Sequence, residues 1–98
     1  METIIKTIAE QINFRELKWA GFKFVYDDKE LSLGVYKGAK HFIIKLNLAN
    51  DLYDIRKVRT RNYSIVEDKE IGGVFCDQLS DMIEKWFNFQ YINKVVFN

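Results

Sequence analysis

The spacing of apolar residues along this chain changes from helical to alternating and back, and those changes divide it into elements. Between Glu2 and Ile12, the residues Ile5, Ile8, Ala9 and Ile12 recur three and four apart, with Ile4 on the shoulder. That spacing predicts an amphipathic helix of about three turns. Asn13 and the polar residues after it end the helix, and Trp19-Ala20-Gly21 leads into extended chain. From Phe22 the period becomes two. Phe22, Phe24 and Tyr26 alternate with Lys23, Val25 and Asp27, which predicts a strand. Asp28-Lys29 reads as a tight turn, and Leu31, Leu33 and Val35 alternate with Ser32, Gly34 and Tyr36 as a second strand in hairpin order.

Lys37-Gly38-Ala39-Lys40 turns the chain again, and His41 to Leu48 forms a third strand with Phe42, Ile44, Leu46 and Leu48 on one face. After Ala49-Asn50-Asp51 a fourth strand runs from Leu52 to about Tyr63. Tyr53 and Ile55 share a face there, but Val58 lies three residues beyond Ile55, where strict alternation would turn Lys57 inward. Either a bulge shifts the register near Lys57 or the strand leaves the core at that point. Ser64-Ile65-Val66 continues this ribbon or begins a short fifth strand, Glu67-Asp68-Lys69-Glu70 reads as a polar break, and Gly72-Gly73 as a flexible hinge. Helical spacing returns near Asp77, a suitable first-turn acid, with Leu79, Met82, Ile83, Trp86 and Phe87 on one stripe. The residues after Phe89 read as strand-like.

This order predicts an α+β fold over residues 1–98 as a single domain: an antiparallel sheet of three to five strands in meander, with the N-terminal and C-terminal helices packed on one face. Residues 90–98 form either an extra strand or an interaction tail. The length agrees with one domain, and 48% hydrophobic residues, including two Trp, five Tyr and eight Phe, can supply a core. No apolar run approaches the ~20 residues that span a bilayer, and the N-terminus lacks the pattern of a signal peptide. Cys76 is the single cysteine, which excludes an internal disulfide and favours a reducing, cytoplasmic setting. Fifteen basic and 14 acidic side chains leave a net charge of +1, which argues against bulk adhesion to polyanions or membranes.

Candidate chemistry is sparse. His41, the single histidine, reads as a strand or turn-edge residue rather than a general base, and Cys76 as a small buried hydrophobe rather than a reactive thiolate. Asp27-Asp28 with Glu30, and Asp68 with Glu70, are interrupted by lysines at turns and read as solvated charges rather than a cation site. Gly72-Gly73 lacks the lysine of a phosphate loop. No catalytic residue, metal or cofactor is expected.

Two features remain. Arg56-Lys57-Val58-Arg59-Thr60-Arg61 concentrates positive charge, and alternation sends Lys57, Arg59 and Arg61 from one face with Tyr63 next in line. Such a stripe can grip an acidic protein, hold phosphates while an aromatic stacks a base, or simply solvate a strand face. The second feature is aromatic: Trp86, Phe87 and Phe89, followed by Tyr91, Val95 and Phe97, offer more apolar surface than one helix face buries. The tail then docks within the chain, pairs with a second copy as a homodimer, or holds a partner by strand addition.

Thr7-Ile8-Ala9-Glu10-Gln11-Ile12, Asn50-Asp51-Leu52-Tyr53-Asp54-Ile55 and Gly73-Val74-Phe75-Cys76-Asp77-Gln78-Leu79 resemble, in that order, elements of small phage and prophage accessory proteins. Shared marks are a Tyr-Asp-aliphatic strand and an Asp-Gln-Leu opening of the last helix. Lys57 stands where that pattern usually has a large apolar residue, and Phe14-Arg15-Glu16-Leu17 replaces a glycine-rich turn. The resemblance implies an accessory protein that acts by binding in the cytoplasm of a host cell, for instance an inhibitor of a bacterial defence system of the anti-CRISPR kind. A nucleic-acid-binding role through the basic strand and a homodimeric structural role are the alternatives.

Overall fold

A computed structural model describes residues 3–95 of the chain. Two helices, α1 (Thr3–Gln11) and α2 (Phe14–Trp19), precede five strands: β1 (Lys23–Asp27), β2 (Ser32–Lys37), β3 (Lys40–Asn47), β4 (Leu52–Arg61) and β5 (Ser64–Val74). A 3₁₀ turn over Cys76–Gln78 then leads into α3 (Leu79–Phe87). Each strand pairs antiparallel with the next, so the sheet is a five-stranded meander in the order β1-β2-β3-β4-β5. The α+β class, the antiparallel sheet and the terminal helices are as the periodicity predicts.

Alternation sorts the sheet into two faces. Leu33 and Val35, Phe42 and Ile44, and Tyr53 and Ile55 lie on one face and form a single buried cluster with Ile5, Ile8 and Ile12 of the first helical segment and Leu79 and Ile83 of α3. Each large side chain removed from water in this way contributes about 1.5–3 kcal/mol. No helix among the described residues packs on the opposite face.

Several expectations need correction. The chain after Asn13 is helical rather than irregular: Asn13 takes a left-handed conformation (φ 49°), which asparagine tolerates, and redirects the chain into α2, whose Leu17 is fully buried. The fifth strand is long, and the supposed polar break and hinge lie inside it. Glu67 to Glu70 pairs with Arg59 to Arg56, opposing unlike charges at Arg59↔Glu67 and Arg56↔Glu70, with Lys57 facing Lys69 and Val58 facing Asp68. Gly73, at φ 67°, serves the register shift between the Tyr53 and Ile55 pairings rather than a hinge. The register problem at Lys57 resolves differently from both alternatives. β3 and β4 pair without interruption from Lys40↔Arg59 to Asn47↔Leu52, so Lys57 does face the helices and Val58 is buried on the other side.

No strand follows Phe89 among the described residues; the tail folds back instead. The Tyr91 ring is buried, and its hydroxyl donates to Ile12 O at 2.8 Å. The Glu16 carboxylate accepts from the amides of Ile92 and Asn93 at 2.6 and 2.8 Å. Phe22 meets Phe87 and Phe89 edge to face, with ring centroids 4.9 and 5.2 Å apart. The tail therefore closes the gap between the first helical segment and α3. Phe97, with Val96 and Asn98, lies outside the described residues.

Candidate docking site

Because the strands run in meander, the turns alternate between the two ends of the sheet, and the charges segregate with them. The β2–β3 turn and the β4–β5 turn share one end, which carries Lys37, Lys40, Arg59 and Arg61. The β1–β2 and β3–β4 connections share the other, which carries Asp27, Asp28, Glu30, Asp51 and Asp54. A net charge of +1 therefore conceals an uneven distribution: cations predominate at the first end, where Glu67 faces Arg59, and acids at the second, among Lys29 and Lys45.

The basic strand supplies part of the cationic end, but its members have different tasks. Arg56 points to the helix-free face and holds Asp68 through two hydrogen bonds, Nε to Oδ1 at 3.0 Å and Nη2 to Oδ2 at 2.7 Å. That fork holds the Asp68 carboxyl below its ordinary range. Lys57 extends over the Trp86 ring, 5.4 Å from its centroid, and Lys40 lies over the same ring at 5.1 Å while donating to Trp86 O at 2.8 Å. The carbonyl is in the last turn of α3, where the helix dipole favours a cation. Trp86 in turn donates its indole N–H to His41 O at 3.1 Å. Arg59 and Lys69 both reach Glu67, at 3.4 and 3.6 Å.

Arg61 and Tyr63 differ from the rest. Among the described residues Arg61 makes no ion pair, and Tyr63 has no partner and is fully exposed (107%). Arg61 pairs with Ser64, so Asn62 and Tyr63 are the two central residues of a hairpin turn, with φ of 52° and 64°. Both angles are positive, as a type I′ turn requires, a geometry usually filled by Asn-Gly. Asparagine suits the first position. Tyrosine at the second is strained, and its ring is held out in water beyond the sheet.

The sequence therefore located the stripe but not its division of labour. It brings Lys57, Arg59, Arg61 and Tyr63 to one end, turns Arg56 to the other face, and adds Lys37 and Lys40, which spacing along β4 could not reveal. Trp86, Phe87, Phe89 and Tyr91 are occupied in the core or against it, and Val95 is partly buried, so of this aromatic group little surface is left for a partner. After Tyr63, the most exposed large apolar side chains are Trp19, Ile92 and Leu48. His41 stacks on Tyr36, with centroids 5.4 Å apart, and Cys76 is partly buried against the core. Among the described residues no three His, Cys, Asp or Glu side chains gather as a metal site would need, and no helix is long and apolar enough to cross a membrane. The chain matches no protein-family model, no curated protein and no solved structure.

Proposed function

We propose that this protein acts by binding, without a catalytic centre, and that it docks an acidic protein surface on the cationic end of its sheet with Tyr63 and Arg61 as anchors. The observation that carries the reading is Tyr63 itself: a fully exposed aromatic ring in a turn position that disfavours it. Such a side chain gives nothing to folding and costs backbone strain, a combination found at contact residues. Arg61 beside it is free to form a planar, bidentate bond with a partner carboxylate. Lys40 and Lys57, held over the Trp86 ring, form a fixed positive background that steers an acidic partner. A nucleic-acid track is the weaker reading, because Arg56 and Arg59 already hold carboxylates and Trp86 is covered by two lysines, leaving one aromatic to stack.

The wider role follows from the resemblance: an accessory protein of a phage or mobile element that blocks a component of a bacterial defence system by occupying its surface. Affinity capture from host cells, with mass spectrometry, tests the binding reading. A protein retained by the natural chain should be lost by Arg61→Glu and by Tyr63→Ser, neither of which removes a contact that holds the fold. Equal recovery by both variants overturns it. A captured nucleic acid, with affinity falling log-linearly with salt, would replace it with the alternative.

A further inference from the structure

The helix-free face of the sheet carries a second site of different chemistry. Val25, Gly34 and Ile43 are cross-strand neighbours on β1, β2 and β3 and form the floor of a groove of about 360 Å³, walled on one side by the stacked Tyr36 and His41 rings. Gly34 is the informative residue. A Cβ built there would lie 3.5 Å from Val25 O and 3.8 Å from Ile43 Cγ1, which is ordinary contact, and its backbone is not left-handed. Nothing within the chain requires glycine at this mid-strand position, where glycine weakens a sheet. What the missing side chain provides is depth, between an exposed Val25 and a half-buried Ile43.

The surroundings of the groove define its occupant. Ser32 and Ile43 also line an adjoining groove of about 600 Å³ that includes Asp54 and Glu70. The two cations lining that groove are already engaged, Lys45 with Glu30 at 2.7 Å and Arg56 with Asp68 at 2.7 Å. Asp54 and Glu70 on one side, and Asp27 on the other, form no direct ion pair among the described residues, although Lys45 faces Asp54 and Arg56 faces Glu70 across the ladder; Asp54 accepts from Asn47 Nδ2 at 3.3 Å, and Asp27 from the amides of Lys29 and Glu30. Lys23, beyond Tyr36, and Lys29, in the β1–β2 turn, are opposing charges that form no ion pair among the described residues. An apolar floor flanked by Asp54, Glu70 and Asp27, none of them in a direct ion pair among the described residues, complements an apolar side chain carried between cationic residues.

We propose that this face is a second docking site, distinct from the cationic end, and that its occupant is a basic peptide segment of a protein partner with one aromatic or branched apolar anchor. The anchor rests on Gly34 between Val25 and Ile43, and the flanking Lys or Arg side chains reach Asp54 and Glu70 on one side and Asp27 on the other.

The probe is a capped peptide, Ac-Lys-Lys-Phe-Lys-Lys-NH2, with its acidic twin Ac-Glu-Glu-Phe-Glu-Glu-NH2, titrated into the isotopically labelled full chain. The basic peptide should produce saturable amide shifts centred on Val25, Gly34 and Ile43. Gly34→Val should weaken it by about tenfold or more while keeping a dispersed spectrum and an unchanged or raised melting temperature. Asp54→Asn with Glu70→Gln should weaken it without moving Gly34. Absence of shifts at millimolar peptide, equal binding of the acidic twin, or binding insensitive to Gly34→Val overturns the proposal. Concentration-dependent self-association that Gly34→Val abolishes would also overturn it, assigning the face to a second copy. Arg61→Glu leaves this site intact, so its failure and failure of the cationic end are separable.

Discussion

Replacing Tyr63 by glycine should stabilise the protein, and the gain can be worked out from the turn. Tyr63 holds φ at 64°, where a Cβ crowds the backbone at a cost of about 1–2 kcal/mol. Glycine removes that cost but gives back roughly 0.5–1 kcal/mol through the larger freedom of its unfolded chain. The tyrosine ring is fully exposed, so no burial is lost. The balance is a gain of about 0.5–1 kcal/mol, or an increase in melting temperature of about 2–8 °C for a domain of this size. Thermal and urea unfolding followed by circular dichroism would measure it. Tyr63→Ala is the necessary control: it deletes the same ring but keeps Cβ and the strain, so it should stay within about 0.5 kcal/mol of the natural chain. If Tyr63→Gly is destabilising, or if alanine gains as much as glycine, the strain argument is refuted, and with it the main reason for assigning the ring to a partner.

Other consequences can be measured independently. Lys94 bonds to Asp81 and Glu84 and holds both carboxyls below their ordinary range, with Tyr91 N–H adding to the effect on Glu84. A lowered folded pKa means stability present above the unfolded value, about 4, and lost as pH falls through the folded one; Lys94→Met should therefore flatten the acid limb of a stability–pH curve. Tyr91→Phe removes the bond to Ile12 O and should cost about 0.5–1.5 kcal/mol, and deleting residues 90–98 should lower the melting temperature further, whereas a tail used only between copies would leave the monomer unaffected. Trp86→Phe loses the indole bond to His41 O and weakens two cation–π contacts, for a cost of about 1–2 kcal/mol by urea unfolding.

Much of the fold was readable because one-sided burial leaves a period. Ile5, Ile8 and Ile12 mark a helix, and Phe42, Ile44 and Leu46 a strand, since each buries one face and wets the other. β5 was misread for the complementary reason: its residues before Val74 are exposed or half-buried, so no hydrophobic alternation announces it, and what holds it is cross-strand pairing with β4 that spacing alone does not encode. α2 is six residues with one fully buried side chain, too short for a helical period to emerge. The tail misled through its β-branched and aromatic residues; Tyr91 is buried by docking between helices, not by joining the sheet. At the candidate site, the cations of β4 were visible as a run, but the run does not show that Lys37 and Lys40 join them, which follows from the β3–β4 register that sets Lys40 opposite Arg59. Which cations are free could not be read, because that depends on Glu67, Asp68 and Trp86 arriving from other elements.

The central claim, that the hairpin tip is the contact surface, can be tested by photo-crosslinking in host cells. A benzophenone side chain placed at Tyr63 should trap one discrete protein adduct, and the same group at Leu48, which is exposed at the opposite end of the sheet, should not. The adduct from Tyr63 should disappear when Arg61→Glu is added. No adduct from Tyr63, or an equal yield of the same adduct from Leu48, would contradict docking through the cationic end.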